Sequence, residues 1–126
     1  MLSKKINLLC AGLVTCSALF STSTISVAAA NTDMSLTIDS QSYTGTYTGD
    51  LKNGEPSGEG TFSFSDEKDS YSVSGIWKKG KLNGSVTTTA SDGSYTSCHY
   101  SDDKPYGRLL KYSANDQLTG YDFYYQ

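Results

Sequence analysis

Few residues of this chain could do chemistry, and their spacing argues against most of what they could do. The single histidine, His99, stands beside Cys98. Neighbours in an extended strand point to opposite faces, so they cannot form a nucleophile–base pair there. Cys98 reads as a small core residue, with a reactive or intermolecular thiol as the alternative. Glu55 and Glu59 are the kind of paired carboxylates that hydrolyse glycosidic bonds, but no segment is placed to enclose them. Asp66-Glu67-Lys68-Asp69 and Asp102-Asp103 offer oxygen ligands for calcium at a spacing that matches no calcium loop. They read as solvated turns, and Lys78, Lys79 and Lys81 as an exposed basic turn. The reading assigns no catalytic residue, metal or cofactor. What remains is an excess of tyrosine, ten in all, whose aromatic faces can bind sugars and peptides.

The elements that must carry these residues repeat. Gly49-Asp-Leu51-Lys-Asn-Gly54-Glu-Pro-Ser-Gly58, Gly75-Ile-Trp77-Lys-Lys-Gly80-Lys-Leu-Asn-Gly84 and Cys98-His-Tyr100-Ser-Asp-Asp103-Lys-Pro-Tyr-Gly107 fit one template. Their first positions lie 26 and then 23 residues apart, a period that belongs to stacked supersecondary units. Tyr43 to Leu51 alternates apolar or small residues with Thr and Asp, as a half-buried strand does. Gly60 to Ser65 is the returning strand, with residues 52–57 as the loop, so one repeat is one hairpin. Residues 71–77 and 84–90 make the second hairpin and residues 95–100 and 107–112 the third, turning through 78–83 and 102–106. Asp92-Gly93 predicts a two-residue turn. Leu118 to Tyr125 reads as an edge strand in which Gly120 could open a fourth, truncated repeat, and residues 31–42 as a lead segment with a short strand. No helical pattern appears after residue 30.

These units resemble the MORN repeat, and Tyr47-Thr-Gly49 through Gly58-Glu-Gly60-Thr-Phe62 is the best match. The chain is similar to secreted MORN proteins of the bacterial type. The resemblance implies an all-β fold, an elongated twisted antiparallel meander of stacked hairpins over residues 43–126, with three repeats and part of a fourth. It also implies a scaffold that binds proteins and, in some relatives, membrane lipids.

Within that frame Gly49 and Gly75 occupy inward strand positions, so that rings such as Tyr47 and Trp77 lie over glycines and Leu51 joins them. Gly54 and Gly80 fall in turns with φ > 0, and Gly58, Gly60, Gly84 and Gly107 complete the motif. Asp103 departs from it with a residue that tolerates the left-handed region and so fits the turn, and Cys98 departs in a way that suggests looser packing in the third repeat. Each hairpin is expected to bury its apolar face only against its neighbours. Tyr47, Trp77 and Tyr100 are expected in the core, and Tyr106, Tyr112, Tyr124 and Tyr125 as candidate binding surface.

The first thirty residues read as an export signal: Lys4 and Lys5, the apolar run Ile6 to Phe20, then Ala28-Ala29-Ala30 as the cleavage site. A lipoprotein reading through Cys16 is the alternative. Cleavage would leave 96 residues, with two of the ten basic residues and none of the thirteen acidic ones removed, hence a net charge of −5. That sign disfavours nucleic acid and membrane lipid as partners. Only Cys98 would remain, so stability must come from stacking and not from an internal disulfide. The expected function is non-catalytic: binding an unidentified protein or cell-envelope component at the cell surface or outside the cell. Two alternatives are a glycan or cell-wall binding module and an accessory to a neighbouring hydrolase or toxin system.

Overall fold

The computed structural model describes residues 31–125. The expected leader, with Cys10 and Cys16, lies outside them. The described chain is all β, eight strands in sequence order: β1 (Asn31–Ile38), β2 (Gln41–Lys52), β3 (Glu55–Ser65), β4 (Ser70–Lys78), β5 (Lys81–Ala90), β6 (Tyr95–Ser101), β7 (Lys104–Tyr112) and β8 (Leu118–Tyr124). Each pairs antiparallel with the next in one open meander.

The hairpin turns are tighter than the sequence reading predicts. Asp39-Ser40, Asn53-Gly54, Lys79-Gly80 and Asp102-Asp103 are two-residue turns with φ of 49° and 67°, 54° and 79°, 52° and 78°, and 49° and 71°. Two successive positive φ values suit the twist of the flanking strands, which is why such turns close tight hairpins. The residues assigned to longer loops, 52–57, 78–83 and 102–106, are thus largely strand, and Pro56, Leu82 and Pro105 within them are buried. Conversely, Asp92-Gly93 belongs to a four-residue loop closed by Gly93 N–H to Ala90 O (3.0 Å) and Ala90 N–H to Ser94 O (2.9 Å).

A bulge recurs at the template's first position in each repeat. Pairing slips between Gly49 and Leu51, between Gly75 and Ile76, and between Ser97 and His99. Gly49 faces Gly60 while Leu51 faces Pro56, so the returning strand carries two surplus residues. Gly58, Gly84 and Gly107 take up that surplus with φ of 85°, 88° and 75°, a region costly for residues with a Cβ. The slip also decides where the third-position residues go. Across the joint between hairpins Trp77 faces Gly58, Tyr100 faces Gly84 and Tyr124 faces Gly107. Leu51 stands at the same template position but is 40% exposed, so it does not join the core rings. The same register corrects the fourth unit: with Tyr124 at its third position, its first position is Asp122, not Gly120.

The core contains Ile38, Tyr47, Phe62, Val73, Trp77, Leu82 and Val86, with Met34, Leu36, Tyr43, Phe64 and Tyr100 packed against it. Tyr47 meets Trp77 edge to face, ring centres 5.6 Å apart. The Trp77 indole N–H donates to Gly60 O (3.1 Å) and the Tyr47 hydroxyl to Asp50 O (3.2 Å). A Cβ on Gly60 would overlap the Tyr47 ring, and one on Gly49 would stand 2.8 Å from the Gly60 Cα. Ring over glycine thus describes Gly49 and Gly60. Over Gly75 the space is taken by aliphatic Val86 and Leu82, with the Val86 Cγ2 3.0 Å from an added Cβ.

Burial is not confined to neighbouring hairpins. The first hairpin of the sheet, β1 with β2, which precedes the repeat hairpins, folds back over the inner face, where β1 residues 34–37 share a depression with the turns at Gly54–Pro56 and Lys79–Lys81. Its tip reaches the third repeat, with Asp39 N–H donating to Asp103 O (2.9 Å) and Lys104 Nζ to Ser40 Oγ (3.3 Å). The outer face of β1 to β4 is instead a hydroxyl ladder. Ser35 meets Thr44 (2.8 Å), Thr61 meets Ser74 (2.8 Å) and Ser63 meets Ser72 (3.3 Å), which leaves that face suited to water.

Gly60→Ala is expected to destabilise by about 1–3 kcal/mol, the cost of overpacking. Gly120→Ala, where an added Cβ meets only the Lys111 Cδ at 3.9 Å, should change stability by no more than about 0.5 kcal/mol. Urea unfolding of both variants measures the contrast.

Candidate functional site

Two aromatic surfaces flank the sheet near β8. On the inner face the third-position residues form a row whose cover runs out. Trp77 is 1% exposed, Tyr100 is half-buried and Tyr124 is 39% exposed. Burial pushes the Tyr100 hydroxyl up to about 12, with Cys98 and Asp39 adding to it. Burial, then Asp39, likewise raises Tyr124. Beside Tyr124 opens a cleft of 650 Å³, lined also by Asp39, Lys81, Ser101, Asp102, Lys104, Pro105 and Tyr125.

On the outer face of β8, strand alternation sets Tyr121, Phe123 and Tyr125 in line, 60%, 53% and 88% exposed. Tyr121 meets Phe123 edge to face at 5.6 Å, and Phe123 stacks on Tyr125 at 6.3 Å. Tyr106 lies on the same side, 6.0 Å from the His99 ring. Tyr112 stacks on Tyr95 at 4.8 Å near the far end of the strands, and the Tyr95 hydroxyl donates to Asp116 (2.9 Å). The four tyrosines singled out from the sequence therefore do not form one surface. Tyr121 and Phe123 join the outer row, and their alternation with Tyr125 was the signal that marks them.

The chemistry-bearing residues stay apart. Cys98 is buried inward, its Sγ 3.7 Å from Tyr106 O, and burial raises its thiol pKa, which keeps it protonated and a poor nucleophile. His99 points outward, its Nε2 3.2 Å from Ser85 Oγ. Glu55 lines a depression with Lys52, Lys78 and Lys79, whereas Glu59 lines another with Gly60 and Ile76. The two carboxylates do not converge on one space.

Asp103 is more than a tolerated departure from glycine. It is buried, takes φ of 71°, and its Oδ1 accepts the Leu82 N–H (2.8 Å) while its own N–H donates to Leu82 O (3.0 Å). Gly80 N–H donates in the same way to Pro56 O (3.0 Å), so successive turns are laddered together. Burial raises the Asp103 pKa, opposed by the Leu82 N–H and Lys81. With Cys98 also buried, neither departure loosens the third repeat where it occurs.

The family model for the MORN repeat matches residues 47–67 and 74–95. The matches cover the first two repeats, where the template glycines are intact, and the chain carries MORN repeats there. No curated protein and no solved structure matches it.

Asp103→Ala should cost about 1–3 kcal/mol by leaving the buried Leu82 N–H without its acceptor. Asp103→Asn keeps an oxygen and tolerates the left-handed turn, and should lose less than half as much. Urea midpoints measured side by side test the ranking, and equal losses would show that the carboxylate oxygen does not matter.

Proposed function

We propose that this chain is a non-catalytic module, exported after loss of residues 1–30, that binds a partner protein at the cell surface or outside the cell. MORN repeats are generally protein- or membrane-binding modules without catalysis of their own. Between those two, the acidic balance beyond residue 30 favours protein over anionic lipid. The observation that carries the reading is the outer face of β8. Tyr121, Phe123 and Tyr125 form a contiguous exposed aromatic row, the residue class that anchors protein interfaces. Among the described residues β8 pairs only with β7, which leaves a backbone edge beside those rings, as strand addition requires. The leader reading rests on Lys4, Lys5, the apolar run and Ala28-Ala29-Ala30.

Crosslinked partner should be recovered from the medium or envelope of the producing cell. Phe123→Ser should weaken capture by about 2 kcal/mol, roughly 30-fold. N-terminal sequencing of the same material should begin within a few residues of Asn31. Undiminished capture by Phe123→Ser would refute the surface, and a retained N-terminus would refute export.

A further inference from the structure

We infer that the inner-face cleft at Tyr124 is a binding site for a neutral saccharide, distinct from the protein-binding row on the opposite face, which it meets at Tyr125. The cleft exists because the cover over the aromatic row stops short. The first hairpin seals Trp77, and its tip is pinned at Asp103 and Lys104, so the row emerges at Tyr124. Its volume, 650 Å³, lies within the ~300–1,000 Å³ of small-ligand clefts.

The lining fixes the class of ligand. Tyr124 and Pro105 supply an apolar floor, and Asp39, Asp102, Lys81 and Lys104 stand around it. The two carboxylates and two ammonium groups cancel, so the cleft has no net charge with which to select an anion or a cation. Nor are they spent on one another: among the described residues the one ion pair is Lys111 with Asp122 (2.7 Å). Lys104 uses one donor on Ser40 Oγ and retains others. Acceptors and donors are thus interspersed around an aromatic floor. A pyranose presents the complement, hydroxyls at its edge that both give and take hydrogen bonds and a C–H face that packs on a ring. Hydrogen bonds to charged partners are the stronger kind, and they offset the dehydration of sugar hydroxyls.

The test is an amide-shift titration of the 15N-labelled protein with chitotriose, cellotriose, maltotriose and mannotriose, each to about 20 mM, since an open cleft implies affinity near the millimolar range. At least one trisaccharide should give saturable shifts at Asp39, Asp102, Lys104 and Tyr124. Tyr124→Ala should weaken that binding at least 10-fold, and Ser63→Ala, in the distant hydroxyl ladder, should not alter it. If Tyr124→Ala disturbs the whole spectrum, Asp102→Asn serves in its place with the same expected direction. No saturable shift with any of the four sugars would overturn the inference. So would shifts confined to the Tyr121 and Phe123 face, or a cleft that responds to triglycine and not to sugar.

Discussion

The structure depends on two rings interlocked over a missing side chain. Tyr47 lies over Gly49 and Gly60 and meets Trp77 edge to face, and any Cβ at Gly60 would occupy the space of the Tyr47 ring. Their polar ends close on backbone oxygens, Trp77 on Gly60 and Tyr47 on Asp50, so two large amphipathic residues are buried without stranded donors. Because the two rings come from successive repeats, the joint holds one hairpin to the next. A flat sheet cannot bury a face against itself, however, and must curl to form a second layer. The first hairpin supplies it by folding back, placing Ile38, Met34 and Leu36 with the ring cluster.

That second layer is short, and the functional surfaces lie where it ends. Along the inner face the same template position passes from sealed Trp77 to half-buried Tyr100 to open Tyr124. One motif residue thus changes from core to surface with nothing altered but its cover. The outer face follows a different logic, a paired hydroxyl ladder giving way to the rings of β8. The tip of the fold-back is held by Asp103, which ties it to Leu82 and to the turn ladder.

The repeat spacing, the hairpins and the turn glycines were legible in the sequence, because each is local. Gly54 and Gly80 announce positive φ by being glycine within a turn, and both have it. The two-residue slip was not legible. It recurs in step with the template and so looks like part of a loop, and it is what makes Asp122, not Gly120, open the last unit. Gly75 carried the same letter as Gly49 but faces Val86 and Leu82, partners that only the register reveals. The fold-back joins Ser40 to Lys104 across 64 residues, beyond any periodic pattern. Asp103 looked like a weakened glycine because its gain, a hydrogen bond to Leu82, lies in another hairpin.

Trp77 is the only tryptophan in the chain, so its fluorescence reports the covered joint directly. Acrylamide quenching of the folded protein, repeated on Ile38→Asp, tests whether the first hairpin is the cover. The account predicts blue-shifted emission resistant to quenching, with a red shift and ready quenching once Ile38 is replaced. Solvent-exposed emission from the unaltered protein, or emission indifferent to Ile38→Asp in a chain that stays folded, would contradict it.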